Sequence, residues 1–154
     1  MSDPAVHTLM PGDVACADRG EVLETLLGSC VAVILTDRRR TVGAMCHIVH
    51  ASPPGGGSSV RAAHADAAID QLYALLTARG FMPSMCDAFV YGGGNMFPAL
   101  VGGAHVGERN AERVLQRLSR DGLRLVYQDL GGTSYRRLRW SVGLEWPAVI
   151  AVAM

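Results

Sequence analysis

The chain has 154 residues, of which 49% are hydrophobic and 18% charged, and its 14 basic residues balance its 14 acidic ones. This length and composition predict a single folded domain over residues 1–154 and exclude a disordered chain, while the zero net charge offers no overall attraction for nucleic acid or an anionic membrane. All the basic residues are arginine, which excludes a lysine nucleophile, a Schiff base or a P-loop lysine within this sequence.

The N-terminal segment, residues 1–11, is expected to be flexible. It lacks the positive charge and apolar centre of a signal peptide. No apolar run in the sequence reaches the roughly 18–20 residues that a membrane span needs. We therefore expect a cytoplasmic protein.

Three strands are predicted in the first third of the chain, over residues 21–27, 31–36 and 42–49, because these segments are rich in β-branched and other apolar residues. The last two flank the charged connection 37–41 and predict a hairpin. A four-residue turn would place Cys30 directly opposite His47. A turn one residue longer would pair Val31 with His47 and turn Cys30 to the other face of the sheet, because side chains alternate along a strand.

A loop rich in proline, glycine and serine follows at residues 51–59, and a helix is predicted over 59–79 with Ser58 or Ser59 as its cap. Residues 86–91 predict a strand that runs into the glycine run 92–94. A second helix is predicted over about 107–121, because its apolar residues fall on one face. Residues 123–130 and 136–142 predict a hairpin, and residues 148–152 a last strand.

This order of elements favours an α+β fold: a single-domain α/β sandwich with a mainly antiparallel or mixed sheet and two principal helices.

The four cysteines, Cys16, Cys30, Cys46 and Cys86, form no C-x-x-C pair, which argues against a zinc ribbon or a thioredoxin-like redox pair. Cys46 and Cys86 lie among apolar residues and are expected to be buried. His50, His64 and His105 show no paired metal-ligand spacing. Neither a metal nor another cofactor is expected. Cys30 and His47, by contrast, would supply the thiol and the imidazole that a cysteine hydrolase needs, if the hairpin brings them together.

Six segments resemble the chemoreceptor glutamine deamidase family of bacterial chemotaxis, CheD. They are TLLGSCVAV at 25–33, GAMCH at 43–47, ADAAI at 65–69, YGGGNM at 91–96, VGERN at 106–110 and DLGG at 129–132. The resemblance spans roughly residues 12–150. It implies an α/β sandwich in which Cys30 is the nucleophile and His47 the base, which favours the hairpin register that brings these two together.

The family also uses a threonine, which stands five or six residues before the cysteine. Here Thr25 is at five and Glu24 at six, and these two positions of a strand face opposite ways. Thr25 is thus the candidate third residue. Backbone N–H groups around Ser29 and Cys30, with the side chain of Asn95, are candidate donors to an oxyanion.

The function implied by the resemblance is hydrolysis of selected glutamine amides of methyl-accepting chemotaxis receptors to glutamate, with receptor methylesterase activity in some members. A CheC-type phosphatase is a further partner that the resemblance suggests. Two alternatives remain: a non-catalytic module that docks on receptors or on that phosphatase, and a cysteine hydrolase of another amide or ester.

A His-paired Cys30 is expected to react with thiol reagents well below the ordinary thiol pKa of about 8.5.

Overall fold

The computed structural model describes residues 3–51, 64–97 and 106–153. Within them lie two helices, α1 (Ala65–Ala78) and α2 (Val106–Arg120), and one short 3₁₀ turn (Pro83–Met85). The strands are, in chain order, β1 (Val6–Leu9), β2 (Val14–Asp18), β3 (Val22–Leu27), β4 (Val31–Thr36), β5 (Val42–Ile48), β6 (Asp87–Gly92), β7 (Arg124–Leu130), β8 (Tyr135–Ser141) and β9 (Ala148–Val152). None of the described helices is long and apolar enough to cross a bilayer.

The strands form two sheets, a four-stranded one in the order β1-β3-β8-β9 and a five-stranded one in the order β2-β5-β4-β6-β7. Each contains one parallel pair, β1 with β3 and β6 with β7, and is otherwise antiparallel. The predicted α+β sandwich with mixed sheets and two principal helices is thereby confirmed.

The five-stranded sheet is the central layer, because apolar side chains cover both of its faces. One face packs on the four-stranded sheet through Ala32, Ile34 and Met45 against Leu138 and Trp140. The other face packs on the helices through a second set of buried residues, which includes Val33, Cys46, Ile69, Leu72 and Val114. Burial on both faces explains why β4 and β5 read as continuous apolar runs.

The hairpin between β4 and β5 is two residues out of step with the predicted register that sets Cys30 opposite His47. Ala32 lies opposite His47, and Thr36 lies opposite Gly43, so both predicted registers are wrong. The cause is the Asp37 carboxylate, which accepts hydrogen bonds from the backbone N–H groups of Thr41 and Val42 at 2.7 and 3.0 Å and so holds a longer connection. A shift of two residues keeps each side chain on its face, so Cys30 and His47 still point to the same side.

The predicted hairpin of residues 123–130 with 136–142 is also wrong. Strand β7 pairs with β6 in the five-stranded sheet, whereas β8 pairs with β3 and β9 in the four-stranded one. The connection crosses between the sheets because its backbone is bonded to the glycine run: Gly131 N–H donates to the Gly92 carbonyl, and Asn95 N–H donates to the Gly132 carbonyl.

The segment expected to be a flexible N-terminus contains strand β1. Val6–Leu9 pairs with β3, the backbone N–H of Val22 donates to the Ala5 carbonyl, and the side chain of Leu9 is buried in the core between the sheets. Four residues are too few for their periodicity to indicate a strand; the pairing with β3 creates it.

The remaining elements lie close to their predicted positions. Helix α1 begins at Ala65 after His64, and the loop at 51–59, the predicted serine caps and the first residues of the predicted helix lie almost wholly outside the described residues. Helix α2, β6 and β9 match their predictions to within a residue or two.

Candidate functional site

A cavity of about 400 Å³ opens at the end of strands β1 and β3, and Cys30, His47 and Thr25 all lie on its wall. We call it the Cys–His cavity. Its lining is mainly apolar and comprises Thr8, Leu9, Met10, Pro11, Glu24, Thr25, Leu26, Cys30, His47 and Arg137.

Cys30 lies in the short link between β3 and β4, and the glycine run of residues 92–94 fixes the backbone of that link. Gly93 N–H donates to the Cys30 carbonyl at 2.8 Å, and Gly94 N–H donates to the Gly28 carbonyl at 3.0 Å. A side chain at Gly92 would bring its Cβ to 2.2 Å from the Cys30 carbonyl oxygen, and Gly92 has a φ of 111°. Glycine is therefore required at position 92 by this close approach and by its positive φ.

His47 lies on β5, an interior strand of the five-stranded sheet, and only 3% of its surface is exposed. Its backbone is held on both sides by the preceding loop, since His47 N–H donates to the Asp13 carbonyl and Gly12 N–H donates to the His47 carbonyl. Its ring contacts Thr25, with 2.7 Å between Nδ1 and the Thr25 hydroxyl oxygen. The other ring nitrogen, Nε2, is buried and has no partner among the described residues.

The Thr25 hydroxyl assigns the tautomer of His47. That hydroxyl also lies 2.7 Å from the carbonyl oxygen of Leu9, which can only accept a hydrogen bond. Because a hydroxyl has a single hydrogen, Thr25 donates it to Leu9 and must accept from His47. Nδ1 therefore carries the proton, and Nε2 has a free lone pair with which to take a proton.

Thr25, rather than Glu24, faces the histidine. The Glu24 carboxylate accepts hydrogen bonds from the Thr8 hydroxyl and from Arg139 on the outer face of the four-stranded sheet. Thr25 is 3% exposed and points between the sheets. Alternation along β3 thus separates the two candidates.

The resting pair is uncharged. Removal from water lowers the pKa of His47 from 6.5 to about 4, although the charge of Asp13 acts in the opposite direction. Burial also raises the pKa of the Cys30 thiol. Near pH 7 a neutral thiol and a neutral imidazole therefore line the same cavity, and the expected low-pKa thiolate is not what this environment favours. An uncharged thiol and an uncharged imidazole can react by general base catalysis, in which the thiol proton moves as the sulfur attacks.

The two candidate oxyanion donors have different positions. The backbone N–H groups of Ser29 and Cys30 donate to none of the described residues. The Asn95 side chain instead accepts from Phe97 N–H at 3.2 Å in a local turn, and Asn95 lines other surface pockets rather than the Cys–His cavity. Asn95 shares one of those surface pockets with Ser29, but its side chain does not line the Cys–His cavity.

Three residues near this site have no role in the sequence prediction. Leu9 supplies the carbonyl that orients Thr25, Arg137 lines the cavity, and Asn110 reaches the Cys30 link from helix α2. Asn110 alone left a signal in the sequence, since it is a polar residue on the apolar side of a predicted amphipathic helix. A backbone carbonyl leaves no such signal.

Among the described residues, no other cysteine or histidine lines the Cys–His cavity. Cys46 and Cys86 are buried as predicted, and burial raises the pKa of the Cys46 thiol to about 12. The rings of His50 and His64 lie 5.6 Å apart. Among the described residues no three His, Cys, Asp or Glu side chains come together as a metal site.

A family model described as CheD chemotactic sensory transduction matches residues 50–143. A protein of Methanococcus maripaludis strain C6, named "Probable chemoreceptor glutamine deamidase CheD", is 34% identical over 131 residues, which are 85% of each chain. Proteins of the same name from Pseudomonas syringae pv. syringae and Geobacillus kaustophilus are 34% and 37% identical, over 84% and 75% of this chain and 75% and 73% of theirs. The family-model match begins after His47, whereas the relatives match most of the chain. On the strength of these matches, the chain belongs to the CheD family.

Proposed function

We propose that the protein is a chemoreceptor glutamine deamidase, in which Cys30 is the nucleophile, His47 the general base and acid, and Thr25 the residue that orients His47. The observation that carries this proposal is the hydrogen-bond relay from His47 Nδ1–H through Thr25 to Leu9, on the wall of a cavity that also holds Cys30. The names of the relatives support the choice of substrate. The protein acts in the cytoplasm, where the signalling helices of chemoreceptors lie.

The reaction begins when the Cys30 sulfur attacks the carboxamide carbon of a receptor glutamine. The thiol proton passes to Nε2 of His47, and the amide oxygen becomes an oxyanion that the backbone N–H of Cys30 stabilises. His47 then returns the proton to the departing ammonia, and a thioester remains. Water, deprotonated by His47, cleaves the thioester and yields glutamate and the free thiol.

The cavity suits a glutamine side chain. Met10, Pro11 and Leu26 give it an apolar wall for the methylene groups, and the polar groups lie together at Cys30 and His47. Since the product is a carboxylate beside a buried, uncharged imidazole, the site favours its release.

Ammonia release from cytoplasmic fragments of chemoreceptors tests the proposal. We expect wild-type protein to release ammonia and to convert specific glutamines to glutamate in peptide mass spectra, and Cys30→Ala to do neither. Cys16→Ser is the matched control, because Cys16 is also a half-buried free thiol but lies outside the cavity. Equal conversion by wild type and Cys30→Ala would refute the mechanism, and no conversion by wild type would favour a docking module or another amide or ester as substrate.

A further inference from the structure

Asn110 on helix α2 is buried to 1% exposure and bridges the two segments that hold Cys30 and His47. Its side-chain NH₂ donates to the Ser29 carbonyl at 3.1 Å and to the Val49 carbonyl at 3.0 Å. Ser29 directly precedes Cys30, and Val49 follows His47 by two residues. One amide group therefore uses both of its hydrogens to join the cysteine link to the histidine strand.

This contact fixes the direction of the Cys30 backbone N–H. The Ser29–Cys30 peptide is trans, as are all the described peptide bonds, so its C=O and N–H point in opposite directions. The C=O points at helix α2, which packs on the outer face of the five-stranded sheet. The N–H must then point to the opposite side of the link, where Cys30 packs between the sheets and the Cys–His cavity lies.

The neighbouring carbonyls are held as well. Those of Gly28 and Cys30 accept from the N–H groups of Gly94 and Gly93. With Asn110 on the middle carbonyl, all three carbonyls of residues 28–30 are bonded to the β6–α2 side of the molecule. The N–H groups of Ser29 and Cys30 donate to none of the described residues. A link with fixed carbonyls and free N–H groups is a preorganised donor site for an anion formed at the cysteine.

We propose that Asn110 is a positioning residue, which holds the Ser29–Cys30 peptide so that the Cys30 N–H faces the reacting carbon and stabilises its oxyanion. This inference rests on the proposed acyl-transfer chemistry of Cys30. Asn110 touches neither substrate nor sulfur; it acts through the peptide that it binds.

Two reactions of Cys30 separate this role from a structural one. Acylation by p-nitrophenyl acetate joins sulfur to a carbonyl carbon through a tetrahedral oxyanion, expels p-nitrophenolate and leaves a thioester, with the thiol proton taken by His47. Alkylation by iodoacetamide joins sulfur to a methylene carbon and expels iodide, with no oxyanion. Both rates are measured in a Cys16→Ser background at one pH, and the rate of the corresponding Cys30→Ala protein is subtracted.

Asn110→Ala removes both donors, and Asn110→Asp keeps the shape but offers acceptors to two carbonyls. For each variant that melts as a folded protein, we expect the ratio of acylation to alkylation to fall by about 10²-fold, the scale of one lost oxyanion donor. Arg117→Met is the matched control. Arg117 is another buried polar residue of α2. It pairs with Asp66, Asp70 and Asp121 and not with residues 28–30, so its variant should keep the wild-type ratio.

An unchanged ratio in a folded Asn110 variant, or an equal fall of both rates, would overturn the inference and leave Asn110 a structural residue. Neither reagent is a receptor, so this result is independent of the deamidation assay. A wild-type protein that acylates in an Asn110-dependent way but releases no ammonia from receptor fragments would keep the inference and refute the proposed substrate.

Discussion

The relay from His47 through Thr25 to Leu9 makes Thr25→Val the sharpest perturbation of the site. Valine has nearly the shape of threonine, so the packing between the sheets is kept while the hydroxyl is lost. Two buried groups then lose their partner at once: the Nδ1–H of His47 and the carbonyl of Leu9, each 2.7 Å from the hydroxyl oxygen. The variant therefore measures the effect of losing these two hydrogen bonds while the volume of the side chain is kept.

The magnitudes follow from those two contacts. Each of the two buried groups left without a partner costs about 1–3 kcal/mol, so we expect a loss of about 2–6 kcal/mol in the free energy of unfolding. Over most of the ordinary stability range of about 5–15 kcal/mol, the variant stays folded. Without an acceptor for its Nδ1–H, the imidazole loses the hydrogen bond that sets its tautomer and its orientation. Since general base catalysis contributes about 10²–10⁴-fold, we expect kcat for deamidation to fall by about 10²-fold.

The assay is ammonia release from receptor fragments, together with urea denaturation of the same samples. Thr25→Ser is the matched control, because serine keeps the hydroxyl that accepts from His47 and donates to Leu9. We expect it to keep most of the activity. Wild-type kcat in Thr25→Val, or equal losses in the serine and valine variants, would refute the assigned tautomer and the orienting role.

Three further predictions follow from burial and close contact. The pKa of His47 is about 4 in the folded protein and 6.5 in the unfolded chain, so the unfolded chain binds more protons between these values. The free energy of unfolding is therefore highest above pH 6.5, and about 3 kcal/mol of it is lost as the pH falls to 4. Denaturation across pH should show this loss in wild type and not in His47→Gln. In Gly92→Ala the new Cβ would clash with the Cys30 carbonyl, so this variant should have a lower kcat and lose about 1–3 kcal/mol in the free energy of unfolding. Gly20→Ala is the control: Gly20 also has a positive φ but has open space around it, so its variant should lose stability and keep its kcat. Arg117→Met should cost about 2–3 kcal/mol in thermal denaturation, less than a fully buried ion pair, because its aspartates reach water.

Much of the fold is local enough to be predicted from the sequence. The buried positions of α1, such as Ile69, Leu72 and Leu76, recur at helical spacing, and the apolar runs of β4 and β5 bury both faces. Patterns of this kind depend on neighbours along the chain. They predict the elements and the sandwich, because a helix with one apolar face and a strand with two must each find covering layers.

Pairing between elements is where the sequence prediction fails, because single side-chain contacts decide it. The Asp37 carboxylate sets the register of β4 and β5, and the bonds of Gly131 and Asn95 to the neighbouring loops carry the chain from one sheet to the other. The parallel partner of β1 is similarly remote, since Leu9 lies beside Thr25 only in the folded sheet. None of these contacts has a periodic signature.

In the candidate site, the identities of the residues are predictable from the sequence, whereas their orientation and protonation are not. Cys30, His47 and Thr25 are predictable as residues, and the two-residue register shift leaves the cysteine and histidine on one face, so their shared cavity survives an incorrect register. The choice between Thr25 and Glu24 depends on which face of β3 lies against the five-stranded sheet. The distance of each residue from Cys30 along the chain does not reveal that face. Burial also determines the protonation of the pair, and it reverses the expectation of a resting thiolate.

Because Cys30 and His47 are uncharged at rest, the hydrogen bonds around them have a different role from those around a resting thiolate. Where a thiolate already exists, neighbours chiefly tune its resting reactivity. In the proposed mechanism the thiol keeps its proton until a carbonyl carbon is in place, so negative charge first appears as the S–C bond forms and the amide oxygen becomes an oxyanion. The contacts that matter are then those that direct the His47 lone pair and the Cys30 N–H at that moment. In the proposed mechanism Thr25 does the first from β3 and Asn110 the second from α2, each through a hydrogen bond to the group that it directs or to the peptide that carries it.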